Sequence, residues 1–584
     1  MLPNDPLKRV LTVDLTRRTF NVEERPELFR NRLGGTGAGI RLLEENCPAG
    51  TDPFNPENPI ILAVGPLVGH YPVASKTTVL FKSPHTGELG ESHAGGRSAV
   101  SIRMAEYGAI IIKGASTMPV YLVIDQDGVH FRDASALWGL RSSYTVGSVL
   151  RERESGSGTR TIMRIGRAGE NLVTYSCVIT ETYRHFGRLG LGAVFGSKKL
   201  KALVIQGKNS LPVANKRAYR KVYDRLFKAA TETPLMKKYH ELGTAMNVLP
   251  LNTIGGLPTR NLQSGTFEGA ESISGEQMAE NYLGRRLACA HCPVACIHLA
   301  ALRTPYPNDP YFFKTNMLGY DHEPIFAAGS MLGINDVPDM LRVMDQIEIL
   351  GLDVMSAGVC LAWAAEARQK GLITTEETDG LELTFGDTET FIEALQRIVS
   401  QPTDFYRALA HGADHAAEIY GGEEYALAFG RNEMAGYHTG PGAYAGYLSG
   451  SRHSHLDSAG YSLDQEAIKA GKKPDAEGLA LKLLEEERWR QVLSSLVICF
   501  FARGVYTPEL ICEALAAIGI SCTETMLHDM GAAILRDKYT FKEREGFILS
   551  ESRIPRRIFT TAAPWGTFEE TYLREVLEEY RKNL

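Results

Sequence analysis

Three cysteines in the segment Leu287-Ala-Cys289-Ala-His291-Cys292-Pro-Val-Ala-Cys296 constrain this chain more than any other feature. Soft thiolates at C-x2-C-x3-C spacing suit an iron–sulfur cage or zinc. Structural zinc sites favour two separated C-x2-C pairs, or cysteines joined by histidines. His291 and His298 supply that zinc alternative here. A cubane needs a fourth thiolate, and Cys499 is the candidate, because it lies in the dry stretch Ser494-Ser-Leu-Val-Ile-Cys499-Phe500-Phe501 at an expected helix end. The other cysteines, Cys47, Cys177, Cys360, Cys512 and Cys522, read as small buried apolar residues. An odd total of nine cysteines, with no apolar h-region in Met1–Val10, argues against secretion and a disulfide framework.

A chain of 584 residues is too long for one core and should divide into about three or four domains. A net charge of −6 gives no reason to expect nucleic acid or an anionic membrane as partner. Leu493–Ala502, the longest apolar stretch, falls far short of the ~20 residues of a membrane helix, so a soluble, cytoplasmic protein is expected. β-branched runs bounded by Gly and Pro predict strands at Val10–Val13, Ile60–Val64, Thr78–Phe81, Ala109–Ile112, Val120–Ile124 and Leu203–Ile205. Without regular βαβ alternation the sheets should be antiparallel or mixed. Glu154–Thr159 reads as a loop. From about Lys208 the pattern turns helical. Asp336 should cap a helix that Gly351 ends, Ser356 should cap the next, and Leu481, Leu484, Trp489, Val492, Leu493 and Leu496 should mark an apolar face leading to Cys499. The expected class is α+β: a β-rich cofactor-binding domain over 1–208, then mainly α-helical domains over 209–420 and 421–584.

Glycine runs at Gly34–Gly39, Gly95–Gly96 and Gly187–Gly196 could bring backbone N–H groups close to phosphates. None fits a Walker A loop, and each alone is more often a tight turn. Neighbouring Lys76, Arg97, Arg184 and Arg188 tilt the balance toward an anionic, phosphate-bearing ligand. Asp321-His322-Glu323 and Arg452-His453-Ser-His455 are proton-transfer candidates. From these residues alone a solvated acid and a structural histidine explain them slightly better.

Several blocks in order carry a resemblance. They are Val10-Leu-Thr-Val-Asp-Leu-Thr16, Pro56-Glu-Asn58, Gly65-Pro-Leu67, Lys82-Ser-Pro-His-Thr-Gly87, Asp133-Ala-Ser135 with Trp138-Gly139, Ile165-Gly-Arg-Ala-Gly-Glu-Asn171, Gly192-Ala-Val-Phe-Gly-Ser-Lys198, and the cysteine triplet with Cys499. With these the chain resembles the aldehyde:ferredoxin oxidoreductase family of tungstopterin enzymes over nearly its full length. The resemblance implies a sheet base carrying two pterins that hold one tungsten (or molybdenum), with a [4Fe–4S] cluster beside one pterin. Mg2+ bridging the pterin phosphates is a further candidate ion. By position, Lys76, His93, Gly95, Arg184, His185 and Gly187 would line the pterin phosphates. Glu348, Leu352, Asp353, Arg452 and Phe500 would contact the cofactor from the later domains, and Cys289, Cys292, Cys296 and Cys499 would bind the cluster. Glu323 and His455 fall where the family keeps acid–base residues, which reverses the bland reading above.

The chain also departs from the family pattern. A motif beginning with Asp starts here with Glu348, a second reads Ser494-Ser-Leu-Val-Ile-Cys499, a bridging arginine becomes Lys76, and an asparagine becomes His93. Arg342-Val-Met-Asp345 replaces an iron-holding E-x-x-H pair, and Arg452-His-Ser-His455 replaces an arginine–glycine block. A divergent branch is expected, with the substrate less secure than the cofactor. The implied activity is oxidation of an aldehyde to its acid in an anaerobic, oxygen-sensitive setting, with electrons passed to ferredoxin or a small iron–sulfur subunit. A homodimer would follow the family habit. Alternatives are low-potential reduction of a carboxylate or aromatic thioester on the same cofactors, an iron–sulfur electron-transfer or assembly subunit, and a zinc-stabilised scaffold.

Overall fold

A computed structural model describes residues 2–156, 158–181, 183–306 and 308–584. The first sheet orders its strands β2-β1-β6-β3-β4-β5. These are β1 (Arg9–Asp14), β2 (Thr19–Glu24), β3 (Ile60–Ala63), β4 (Thr77–Lys82), β5 (Leu89–Ala94) and β6 (Ala109–Lys113). β1 and β6 run parallel, and every other neighbouring pair is antiparallel. The exposed edge strand β2 carries polar and charged residues that blunt further pairing, whereas β3 and β4 are buried on both faces.

The second sheet orders β11-β10-β9-β12-β7-β8. It comprises β7 (Val120–Asp125), β8 (Gly128–Asp133), β9 (Thr159–Arg164), β10 (Val178–Thr180), β11 (His185–Phe186) and β12 (Leu200–Gly207). β7 and β12 pair in parallel. Their period of two splits the apolar side chains between two cores: Leu122, Ile124, Leu203 and Ile205 join the first sheet's core, while Tyr121, Val123, Ala202 and Val204 face another with Val146 and Leu150. Both sheets are mixed, as the sequence predicts. All six expected strands form.

The later region is mainly helical, with two unexpected additions: a two-stranded sheet of Ala428–Phe429 with Asn432–Glu433, and a larger sheet of β13 (Leu283–Leu287), β14 (Ile297–Tyr306) and β15 (Asp309–Tyr320). The cysteine triplet therefore sits on a loop between two strands and not in helical surroundings. At the other end of this sheet Tyr306, Tyr311, Phe312 and Phe313 are exposed on an arm.

Helix Val337–Leu350 begins where Asp336 accepts a hydrogen bond from Asp339 N–H and ends at Gly351, whose φ of 80° favours glycine. The next helix, Val354–Gln369, is capped by Asp353 and not by Ser356, since the Asp353 carboxylate accepts from the Ser356 N–H. It is buried on nearly all sides and so forms the spine of the largest core. Helix Ala476–Ser495 leads toward Cys499 as expected, with Leu484, Val492, Leu493 and the following Leu496 buried and Trp489 packed against the core of the last three; Leu481 alone departs from the expected face. Leu481 is exposed, and Leu479, Ala480, Leu483 and Leu484 are the buried apolar positions of its first turns. No described helix is long and apolar enough to cross a membrane.

Candidate functional site

The loop carrying the three cysteines closes the β13–β14 hairpin, whose last pair is Leu287 with Ile297. Backbone bonds lace it to distant segments: Ala290 N–H donates to Gly96 O (2.8 Å) and Val73 N–H to His291 O (3.2 Å). Cys499 N–H donates to Val73 O (2.9 Å) and Lys76 N–H to Val497 O (3.2 Å), so residue 499 arrives at the same place. A Cβ added at Gly95 would lie 2.8 Å from Cys289 Sγ and 3.5 Å from Lys76 Nζ, which is why glycine stands there. The thiols act on one another. Burial and the charges of Cys289, Cys296 and Cys499 push the Cys292 thiol up, and burial with Cys499 and Cys289 pushes Cys296 up to about 12. Crowding of this kind penalises free thiolates and is relieved by a bound cation.

Among the described residues no three His, Cys, Asp or Glu side chains converge closely enough to hold a single metal ion. His298, one of the zinc alternatives, donates its Nε2–H to His240 O (2.9 Å). A mononuclear zinc needs its donors within bonding distance of one point, whereas thiolates at the corners of an iron–sulfur cage stand further apart. The donor set fits the cage.

Beside this loop opens a cavity of about 340 Å³. Lys76, His93, Gly95, Arg184, His185, Gly187, Glu348, Leu352, Asp353, Arg452 and Phe500 line it, together with Cys499, Glu323 and His455. The elements explain why these residues meet. Cys177 N–H donates to Gly351 O and Asp353 N–H to Tyr175 O, both at 2.9 Å, which ties the second sheet to the end of helix Val337–Leu350. A Cβ at Gly187 would meet nothing nearer than Asp353 Oδ1 at 3.8 Å, so the backbone there leaves an open cradle facing the cavity. Arg188 donates from Nε to Asp353 Oδ2 (3.2 Å) and from Nη2 to Glu433 O (2.6 Å). Its buried Nη1 has no hydrogen-bond partner among the described residues. His185 Nε2 pairs with Glu348 Oε1 at 2.7 Å. Burial would raise the Glu348 carboxyl, but His185 and Arg164 outweigh it and hold the group below its ordinary value.

His93 is pinned from behind. Its Nε2 meets Glu91 Oε1 at 2.6 Å, while Glu91 Oε2 pairs with Lys538 Nζ at 2.6 Å and accepts from Thr36 Oγ1 at 2.7 Å. Burial and the nearby Arg452 charge lower the His93 imidazole to about 4, so it is neutral at physiological pH. Glu91 stays well below the usual carboxylate range, because Lys538 and His93 overcome the burial cost.

The acid–base pair lies in the same cavity. Glu323 occupies the first turn of helix His322–Ala328, where its Oε2 accepts from Gly436 N–H at 3.0 Å. His455 opens the short helix His455–Ser458, which Ser454 and Asp457 close with a capping box. His455 Nε2 stands 3.4 Å from Glu323 Oε1, while Glu323 Oε1 and His455 Nδ1 are both buried without a well-formed hydrogen bond among the described residues. Burial raises the Glu323 carboxyl to about 8 and, with Arg188 and His322, drives the His455 imidazole well below its ordinary value. At neutral pH both groups are uncharged. Oε2 is occupied as an acceptor, so the carboxyl proton belongs on Oε1, facing His455.

Several expectations fail here. Arg97 is exposed at the start of helix Ser98–Met104 and does not line the cavity, unlike Lys76, Arg184 and Arg188. Gly34 and Gly35 serve close packing, because Cβ atoms there would meet Val64 O at 2.5 Å and Ser494 O at 2.1 Å. Lys198 is buried with its ammonium on Pro56 O and Gly114 O, so that glycine run is structural. His453 also lies outside the cavity, held by Tyr447 O, Glu88 and Lys542. Cys512 and Cys522 are only half-buried, unlike Cys47, Cys177 and Cys360. Sequence reading also missed aromatic walls. Tyr437 and Tyr461 stack at 4.1 Å, and Tyr239 and Phe501 at 4.3 Å. All four line the cavity but come from separate elements with no shared spacing to betray them.

Both parts of the chain match known proteins. Residues 10–207 match the domain described as "Aldehyde ferredoxin oxidoreductase, N-terminal domain", and residues 221–583 match "Aldehyde ferredoxin oxidoreductase, domains 2 & 3". The tungsten-containing aldehyde ferredoxin oxidoreductase of Thermococcus kodakarensis is 32% identical over 98% of this chain and 95% of its own length. The Pyrococcus furiosus protein of that name is 31% identical over the same shares. A second Pyrococcus furiosus protein, the WOR-like subunit of an aliphatic sulfonate oxidoreductase, is 30% identical over 70% of this chain and 66% of its own. Among solved structures, the active-site complex BamBC of benzoyl coenzyme A reductase superposes with a TM-score of 0.82 at 23% identity. It covers 99% of this chain and 94% of the other, a likeness of fold.

Proposed function

Because this chain belongs to the aldehyde ferredoxin oxidoreductase family of tungsten–pterin enzymes, we propose that it oxidises an aldehyde to its carboxylic acid and passes the electrons to a ferredoxin-type acceptor. The observation that carries this reading is the pairing of Glu323 with His455 in the cavity that also holds Cys499 and the cofactor candidates.

In this reading Cys289, Cys292, Cys296 and Cys499 hold a [4Fe–4S] cluster. Lys76, His93, Gly95, Arg184, His185, Gly187, Glu348, Leu352, Asp353, Arg452 and Phe500 hold the pterins, with tungsten or molybdenum as the metal and Mg2+ as a further ion. Bound there, the metal–pterin group supplies two-electron redox chemistry and the cluster supplies one-electron transfer.

The chain's own residues do the rest. With the carboxyl proton on Glu323 Oε1 directed at His455 Nε2, the imidazole keeps its remaining N–H on Nδ1. That N–H is buried and has no hydrogen-bond partner among the described residues. Above about pH 8, where Glu323 has lost its proton to solvent, the carboxylate accepts the proton of water or of the hydrated aldehyde. Closure by aromatic rings keeps bulk water from competing for either group.

Elemental analysis of anaerobically purified protein, paired with aldehyde oxidation against a viologen dye, tests the proposal. Tungsten or molybdenum with four irons per chain and dye reduction are expected. Iron without either heavier metal points to an electron-transfer subunit, and zinc alone points to a scaffold. A second reading has one observation in its favour: Glu323 retains its proton at neutral pH, which suits proton donation during reduction of an activated acid. Acid-dependent oxidation of a reduced viologen would select it.

A further inference from the structure

The part of the cavity beyond the acid–base pair is walled by flat rings. Tyr437 packs 5.5 Å from the His455 ring and Tyr461 6.2 Å from it, and the two tyrosines stack at 4.1 Å with an 18° tilt. Tyr437 is the inner ring, 4% exposed, and its carbonyl accepts from Tyr447 Oη at 3.3 Å. Tyr461 is half-buried at the start of helix Gly460–Ala470 and lines the cavity. Across the chain fold a second stack, Tyr239 on Phe501 at 4.3 Å and 11°, lines the same cavity. Two nearly coplanar pairs from four separate elements are more than general apolar lining requires. Rings stack best on rings, so such walls reward a planar guest over an equally apolar puckered one.

We propose that these walls form an arene slot, and that the substrate is an aryl aldehyde whose ring extends the Tyr461 stack while its carbonyl faces the His455–Glu323 pair. This deepens the reading of the site as an aldehyde oxidase and rests on it. The reaction is then ArCHO + H2O → ArCOOH + 2 e− + 2 H+, with one proton leaving through Glu323 and the electrons through the bound redox groups. Tyr437 and Tyr461 act as specificity-determining residues. His455 and Glu323 provide the chemistry for any aldehyde that reaches them.

Two guests of similar size separate ring stacking from plain burial: benzaldehyde and cyclohexanecarbaldehyde. For the anaerobic holoenzyme, kcat/KM should favour benzaldehyde, and Tyr461→Leu should reduce that preference by about two- to tenfold, the range an aromatic pair contributes. Calorimetric titration of the same holoenzyme with benzoate and cyclohexanecarboxylate reads the slot without turnover. Benzoate should bind more tightly to the wild type, and the difference should shrink in Tyr461→Leu. Equal binding of the two acids, or a preference untouched by Tyr461→Leu and by Phe501→Leu, overturns the slot. Tighter benzoate binding without any aldehyde turnover keeps the slot and overturns the aldehyde reading instead.

Discussion

A carboxyl group next to a histidine in the sequence would be unremarked; at Glu323 burial makes it informative. The side chain titrates near 8 because it is desolvated, with Arg188 opposing the shift and Asp321 reinforcing it. Below that pH the group is a neutral acid and cannot serve as base. If oxidation needs its carboxylate, kcat/KM should therefore climb as pH rises toward and through about 8. Glu323→Gln should remove the climb and lower kcat by roughly 10²- to 10⁴-fold with metal content unchanged. An unaltered pH profile in that variant would dismiss Glu323 as the base. The sequence offers this residue as a proton-transfer candidate, and only its place in a family pattern lifts it above the reading of a solvated acid. Nothing in Asp321-His-Glu323 foretells that Gly436 N–H will occupy one carboxyl oxygen and His455 the space beside the other. The pairing spans more than a hundred positions.

Elements show the reverse balance, since their ends were legible where turn chemistry is local. Asp336 and Gly351 bracket one helix as the sequence predicts. The next cap shifted from Ser356 to Asp353, because a carboxylate three residues earlier reaches the Ser356 N–H and Oγ at once, at 3.1 and 2.7 Å. The apolar face of Ala476–Ser495 is legible except at Leu481, while the burial of Glu487, Arg490 and Gln491 beside it is something no hydrophobic pattern records. Gly351 carries a second duty. At φ 80° it turns the chain so that Leu352 and Asp353 face the cavity, and a Cβ there would sit 2.8 Å from Gly166 N. Gly351→Ala should cost about 1–2 kcal/mol in a denaturant melt and weaken pterin retention more than cluster retention. Behind the site, the Glu91–Lys538 pair joins β5 to helix Glu524–Arg544 with both side chains at 1% exposure or less. Lys538→Met leaves that carboxylate alone, at a cost of about 3–5 kcal/mol, seen as a lower thermal midpoint. Glu91's carboxyl is depressed in the folded chain, so its share of stability is present above the ordinary value near 4.5 and fades as pH falls below it. The Lys538→Met protein should lack that part of the acid dependence.

Across the whole molecule, the α+β plan with mixed sheets was readable from strand punctuation and the change to helical periodicity. The β13–β15 sheet was not, since its first strand contains Gly284-Arg-Arg286 and its last contains Lys314, Asn316 and Gly319, an unpromising composition that only pairing with β14 stabilises. That sheet presents the cysteine loop, and backbone bonds then bind the loop to residues 73, 96 and 499. If the loop holds iron as proposed, its removal under oxidising conditions with a chelator should lower the melting temperature and raise hydrogen exchange at 73–76, 95–97 and 289–296 together. Faster exchange confined to 289–296 would show the lacing to be weaker than its geometry. The same lacing also orders events during synthesis. When the hairpin loop emerges from the ribosome, the strand that positions it already exists, but the thiol of residue 499 and the carbonyl of Val497 do not. A chain truncated before that point offers three sulfurs and a missing wall. If all four thiols hold one cluster, as proposed, its loading is deferred until nearly all of the polypeptide has been made.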